Sequence, residues 1–246
     1  MNVRNLIGFS EKDREASVYR IFSLQRFLEA LERKSLTLVN PSMWEDPFEN
    51  YIHQYFRRMY PDQSKVMRWY GGNLVGQCWT MHRETDAMWR IYSPQKNGVK
   101  VKVKAHALLD VLWNSHEPKV SASTCCFLGK VDYLTKKDLS QIVSNPNLER
   151  DMMQDDTARR RAIFLLQKRK EFSHEKEARL IYEFASAKQL REGKYYDIPI
   201  DPNTLFESIV LDPRMNETEF KMYKSGIRAL DYSGLITRSS LYKLDI

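Results

Sequence analysis

The stretch His174-Glu175-Lys176-Glu177-Ala178-Arg179 sets ionisable side chains immediately before an apolar run. It is not a His-Glu-x-x-His zinc motif, because Ala178 stands where the second histidine is needed. Glu175, Glu177 and Arg179 follow one another at period two, so in an extended chain they share a face. Acid, acid and base on one face near the start of a strand make either a solvated edge or a site. Glu177, beside the apolar core of the strand, is the one expected to point into a cleft. Tyr19-Arg20 ends an early apolar run, and an arginine at the mouth of a sheet can fork onto a phosphate with two hydrogen bonds. Cys78-Trp79-Thr80 brings a hydroxyl to a strand end, where it can orient a sugar or an amide. In Met88-Trp89-Arg90-Ile91-Tyr92, the rings of Trp89 and Tyr92 can stack on a flat ligand, although this spacing more often marks core. A basic segment carries Arg159-Arg160-Arg161 and Lys168-Arg169-Lys170. The first triplet spans nearly a full helical turn, so it cannot all face one way.

These side chains need elements to hold them. Val18–Phe22 reads as a strand, followed by a helix with Ser23 as cap and Leu24, Phe27, Leu28 and Leu31 at i, i+3, i+4 and i+7. Ser35–Val39 is a second strand, broken by Asn40-Pro41-Ser42 and followed by a loop, Trp44-Glu45-Asp46-Pro47-Phe48-Glu49. Tyr51–Tyr70 is compatible with a helix ended by Gly71-Gly72. Strands are expected over Leu74–Trp79, Cys125–Leu134, Ala178–Phe184, Tyr195–Ile200 and Ser208–Leu211. Val99, Val101 and Val103 alternate with Lys100, Lys102 and Lys104, which predicts a strand with one buried face and one lysine face. Helices are expected over Asp86–Tyr92, Ala105–Trp113, Thr157–Phe172 and Glu217–Ser225, and Leu139–Asn147 has no clear pattern. The order gives an α+β fold, a mixed or antiparallel central sheet flanked by helices, in a single domain over 1–246, with no repeat or low-complexity linker.

The chain of 246 residues is 42% hydrophobic and 29% charged, a composition that folds rather than stays disordered. No stretch approaches the roughly 20 apolar residues of a membrane span. Met1–Tyr19 mixes both charge signs without an apolar core, so no signal peptide is read there. Three cysteines, Cys78, Cys125 and Cys126, are a poor disulfide framework, and no Cys-x-x-Cys offers a zinc site. The expected location is cytoplasmic. The formal net charge of +7 favours an acidic partner such as nucleic acid or a phosphate-bearing cofactor.

Taken together, the pieces resemble the bacterial domain-of-unknown-function 2971 family (DUF2971) over nearly the full length. They are Val18-Tyr19-Arg20-Ile21-Phe22, Leu36–Pro41, Trp44–Glu49, Cys78-Trp79-Thr80, Met88–Tyr92, Gly98-Val99, Val131-Asp132-Tyr133, Lys168-Arg169 with Phe172, His174–Leu180 and Ile198–Pro213. The opening strand, helix and second strand are also similar to the start of the ADP-ribosyltransferase fold, including its DNA-targeting toxin branch. That resemblance implies NAD as a substrate, no metal, and Arg20, Thr80 and Glu177 in the places of a cofactor-holding residue, a strand-edge hydroxyl and a late glutamate. Here the serine motif appears only as Cys-Trp-Thr, and Glu175 competes with Glu177. On this reading Arg20 holds the pyrophosphate. Tyr19, Trp89 or Tyr92 stacks on nicotinamide or adenine, and Asp46 and Glu49 position the acceptor. The implied partners are a nucleic-acid target and, for a toxin or antiphage effector, an antitoxin or defence protein. Two other readings stay open. One is a Mg²⁺-dependent nuclease using Asp46, Glu49, Glu175 and Glu177 with Lys176 nearby. The other is a non-enzymatic module that binds nucleic acid or protein.

Overall fold

A computed structural model of the chain describes residues 5–10, 13, 15–44, 58, 74–115, 122–148, 150, 157–184 and 186–243. The loop bearing Asp46 and Glu49, and the helix expected over Tyr51–Tyr70, lie outside the described residues.

The strands are β1 (Leu6–Ile7), β2 (Ser17–Phe22), β3 (Ser35–Val39), β4 (Leu74–Thr80), β5 (Val99–Lys104), β6 (Cys126–Lys130), β7 (Asp132–Leu134), β8 (Gln167–Arg169), β9 (Glu177–Glu183), β10 (Tyr195–Pro199), β11 (Ser208–Leu211) and β12 (Leu235–Arg238). The helices are α1 (Leu24–Glu32), α2 (Asp86–Tyr92), α3 (Ala105–Ser115), α4 (Ala122–Cys125), α5 (Lys136–Val143), α6 (Thr157–Leu165), α7 (Pro202–Leu205) and α8 (Glu217–Ala229). The chain is an α+β protein with a mixed sheet ordered β1-β6-β9-β4-β2-β5-β11-β12. The central ladders β6–β9, β9–β4, β4–β2 and β2–β5 are antiparallel, whereas β1–β6 and β11–β12 are parallel.

The sheet forks at β4. Its last residue pairs with β2 (Tyr19 with Thr80), while its middle pairs with β3 (Val39 with Gly76). Strand β3 then carries β10 on its other edge. Helix α1 joins β2 to β3. Ser23 caps it by accepting from the Arg26 N–H, and Phe27 and Leu31 are buried against the main core. The same core holds Val99, Val101 and Val103 with Leu108, Leu109 and Leu112 of α3. A smaller core under α6 holds Leu74, Phe127, Leu165, Leu166 and Ile181.

Several sequence-based expectations are corrected. Thr157–Phe172 is not one helix: α6 stops at Leu165, residues 167–169 pair in parallel with β7, and Lys170–Glu175 forms a 3₁₀ turn. The apolar face of α6 ends at Leu166, and tertiary pairing with β7 claims the residues after it. The stretch Cys125–Leu134 divides into β6 and β7 around Val131, whose N–H donates to the Glu177 carbonyl. Helix α5 was unpatterned in sequence but has a capping box, Thr135 with Asp138. The lysine face of β5 is not wholly solvated. Lys100 is buried, paired with Glu84 at 3.1 Å and set 5.5 Å from the centre of the Trp89 ring. Among the described residues, no helix is long and apolar enough to cross a membrane.

One close approach links this packing to the ionisable stretch. Gly129 of β6 lies opposite Arg179 of β9, and a Cβ added there would meet Leu166 Cδ1 at 2.1 Å. The bare glycine lets the segment from α6 to β8 lie directly on the sheet. Gly129→Ala is therefore expected to cost about 1–3 kcal/mol by overpacking. Urea unfolding of Gly129→Ala, Leu166→Ala and the double variant checks this. The double variant should lose less than the sum of the singles, and simple additivity would refute the contact.

Candidate active site

Strands β2, β4 and β9 bring their ends together, and Tyr19, Thr80 and Glu177 stand in register across them. With Arg20, Tyr92 and Glu175 they line a cleft of about 80 Å³. The two glutamates reach it by an unexpected backbone route. Glu175 ends the 3₁₀ turn, and Lys176 is left-handed at φ 41° and ψ 55° before the strand begins. A β-carbon in that region costs roughly 1–2 kcal/mol. Two anchors hold it: the Lys176 carbonyl accepts from the Met81 N–H at 2.8 Å, and the Glu177 N–H donates to the Tyr133 hydroxyl at 2.7 Å.

The two carboxylates share one ammonium. Lys168 Nζ donates to Glu175 Oε2 at 2.6 Å and to Glu177 Oε2 at 3.3 Å. Arg179 forks onto Glu177, with Nε to Oε1 at 3.0 Å and Nη2 to Oε2 at 2.8 Å. Its third nitrogen, Nη1, donates to the Leu165 carbonyl at 2.6 Å, and Trp44 lies 4.4 Å from the guanidinium. Lys168, Arg179, Glu175 and Glu177 are all buried. Burial raises the Glu177 carboxyl, but Arg179 and Lys168 outweigh it and hold it below the ordinary value of 4.5. Burial and the neighbouring Glu177 push the Cys78 thiol well up, so it is no thiolate nucleophile. Burial also raises the Tyr133 hydroxyl, to about 12.

Arg20 closes the opposite side. Its Nη1 donates to the Cys78 carbonyl, and its guanidinium lies 5.1 Å from the centre of the Phe22 ring. Its Nε is buried with no hydrogen-bond partner among the described residues. A buried donor without an acceptor is costly.

The remaining expected residues divide. Tyr19 lines the cleft. Tyr92 stands at the rim, 41% exposed, and donates its hydroxyl to Glu175 Oε1 at 3.1 Å. Thr80 lines the cleft, but its hydroxyl donates to the Glu175 carbonyl at 2.5 Å and accepts from the His82 N–H at 3.0 Å. It clamps the turn and is not a ligand donor. Trp89 is fully buried, gives its indole N–H to Glu84 Oε1 at 2.7 Å, and is not among the lining residues, so it cannot stack on a ligand there. Asp46 and Glu49 lie outside the described residues. Among the described residues, no group of three or more His, Cys, Asp and Glu is arranged so that it could hold a metal ion. Lys168 and Tyr133 are the members that sequence reasoning did not assign. Both sat in motifs noted for family resemblance, but Lys168 was read as part of a basic helix.

The model of the DUF2971 family, described as a protein of unknown function, matches residues 88–180. That span holds Tyr92, Lys168, Glu175, Glu177 and Arg179, and not Arg20 or Thr80. Solved structures of Thermus sp. 2.9 DarT are similar along most of the chain. The complex with carba-NAD+ covers 94% of this chain and 97% of its own, at 10% identity and a TM-score of 0.40. The complex with NAD+ covers the same shares, at 10% identity and a TM-score of 0.41. The complex with ADP-ribosylated ssDNA covers 92% of this chain and 94% of its own, at 13% identity and a TM-score of 0.41. No curated protein matches the chain.

The ion cluster carries a pH signature. Glu177 loses its proton more readily folded than unfolded, so its pairing stabilises the fold above pH 4.5 and is lost as pH falls through its lower folded value. Lys168→Met leaves two buried carboxylates facing each other, which should cost about 3–5 kcal/mol. Followed by circular dichroism, its urea-unfolding midpoint at pH 7 should fall, and the loss should shrink as pH falls and a carboxyl takes up the proton that replaces the ammonium charge. An unmoved midpoint would show that Lys168 does not hold the pair.

Proposed function

We propose that this protein is an NAD-dependent ADP-ribosyltransferase whose acceptor is nucleic acid, acting as a toxin or antiphage effector. One observation carries the reading. Two carboxylates, one of them held ionised by buried cations, face an arginine whose buried Nε lacks an acceptor, across one cleft. Breaking the nicotinamide–ribose bond sends its electron pair to the neutral nicotinamide and leaves positive charge on the ribose, an oxocarbenium-like state. A fixed carboxylate beside the ribose stabilises that charge without reorganising. The acceptor oxygen or nitrogen then bonds to the same carbon, and its proton passes to a carboxylate or to water.

The residues take roles by position. Glu177, forked by Arg179, is the rigid carboxylate that meets the ribose. Glu175, hydrogen-bonded to the rim residue Tyr92, is nearer the mouth and orients the acceptor. Arg20 Nε supplies a donor to a phosphate oxygen, and the Tyr92 ring offers a stacking face. Thr80 acts through the turn it clamps. The nuclease reading is weaker here, because the Lys168 ammonium already occupies the space between Glu175 and Glu177 that a divalent ion would take.

The test is nicotinamide release from NAD by wild type, with chelator present, and with and without DNA, RNA and cell lysate. Glu177→Gln is expected to lower turnover by about 10²-fold or more. Arg20→Ala is expected chiefly to raise KM, by about tenfold for a lost charged hydrogen bond. Release that needs added Mg²⁺, or full activity in Glu177→Gln, would remove this assignment.

A further inference from the structure

The fork in the sheet creates a second concavity. Strand β2 pairs along its whole length with β5 but meets β4 at Tyr19 alone, and β3 meets β4 at Val39 alone. The facing edges of β2 and β3 therefore diverge, and α1 bridges them at one end. The space between is a cleft of about 430 Å³, several times larger than the carboxylate cleft and within the range of small-ligand sites.

Its chemistry is cationic. Arg20, Arg26, Arg33 and Arg191 line it against Glu29 and Glu192, an excess of two positive charges. The four guanidiniums come from β2, from both ends of α1 and from the segment before β10, so they converge from separate elements. Two are already tied: Arg26 to Glu29 at 3.0 Å, and Arg191 to Asp197 at 2.7 Å. Two have donors to spare. Arg20 Nε is buried without a partner, and no hydrogen bond or salt bridge ties the Arg33 guanidinium to a described residue. Tyr195 adds a ring to the wall, with the Arg191 guanidinium 4.7 Å from its centre. On the floor, Gln77 of β4 donates to the Thr37 carbonyl of β3 at 3.0 Å, which ties β3 to β4 beyond their single paired position.

We infer that this cleft is a binding site for a nucleotide phosphate, separate from the carboxylate cleft and sharing Arg20 with it. Guanidiniums fork onto phosphate oxygens with two hydrogen bonds each, and Tyr195 offers a base its stacking face. The cleft is the size of one nucleotide rather than a long groove. A free nucleoside diphosphate and a nucleotide within a single strand present the same chemistry, and a cleft of about 430 Å³ is of the order of one free nucleotide. The inference does not depend on NAD turnover, since binding is measured without it.

The test titrates ADP into wild type by calorimetry, and titrates wild type into a labelled single-stranded oligonucleotide by fluorescence anisotropy. Arg33→Ala is the discriminating variant, because its residue is exposed and joins no salt bridge among the described residues, and a thermal melt confirms its fold. Arg191→Ala is the second, with a thermal melt to confirm folding. Saturable ADP binding is expected, weakened about tenfold by either substitution and unchanged by Glu177→Gln. Oligonucleotide binding with the same arginine dependence, and none to ADP, assigns the site to a strand phosphate and keeps the inference. Binding that Arg33→Ala and Arg191→Ala both leave unchanged overturns it, as does the absence of binding to either probe. Loss of NAD turnover alone bears on the carboxylate cleft and not on this one.

Discussion

The described structure turns on one buried ion cluster, Arg179–Glu177–Lys168–Glu175. Isolated charges are not tolerated in an apolar interior, so each must be matched and hydrogen-bonded. Arg179 meets that demand in every direction: two nitrogens on Glu177, one on the Leu165 carbonyl, and its face towards Trp44. The requirement reaches far along the chain. Helix α6 must stop at Leu165 so that a carbonyl is free for Arg179 and β8 can deliver Lys168. Strand β6 must carry a glycine opposite Arg179 so that Leu166 can lie flat. Such a network is a weak source of stability compared with apolar packing, but it permits few alternative arrangements.

Much of the frame was legible in the sequence. Alternating Val and Lys fixed β5, and the i, i+3, i+4, i+7 stripe with Ser23 fixed α1, because period and caps are local signals. Ser208–Leu211 and Asp86–Tyr92 were read to the residue. The basic segment failed for the opposite reason. Thr157–Phe172 has good helix formers throughout, and what ends α6 is pairing with β7, 35 residues away (Asp132 with Gln167). The same failure hid Lys168. In a helix it would be one more solvated cation, whereas in β8 it points into the site.

The site was legible in membership more than in geometry. Period two put Glu175 and Glu177 on one face, and both do reach the cleft, but through a left-handed Lys176 and not through an extended strand. Trp89 shows the limit of reading aromatics by type. The pattern that offers a stacking ring also describes a core residue, and the choice depends on Glu84 and Lys100, which the local sequence does not place. Thr80 is subtler. It lines the cleft, yet both its donor and an acceptor lone pair are used within the protein, by groups far away in sequence or set by the local turn.

The arrangement also explains why two glutamates so close in sequence need not be equivalent. Both oxygens of Glu177 are held by a guanidinium that is itself wholly buried, so this carboxylate is fixed in place and in charge. Glu175 is held by one ammonium and one tyrosine hydroxyl, and that tyrosine stands partly in solvent. Movement of Tyr92 on ligand entry would release Glu175 Oε1 and leave Glu177 untouched. A rigid carboxylate suits charge that develops at a fixed carbon, and a releasable one suits a partner that arrives from outside. On the proposed reading the two tasks would fall to side chains within three residues, with left-handed Lys176 between them and Lys168 as the common counter-charge.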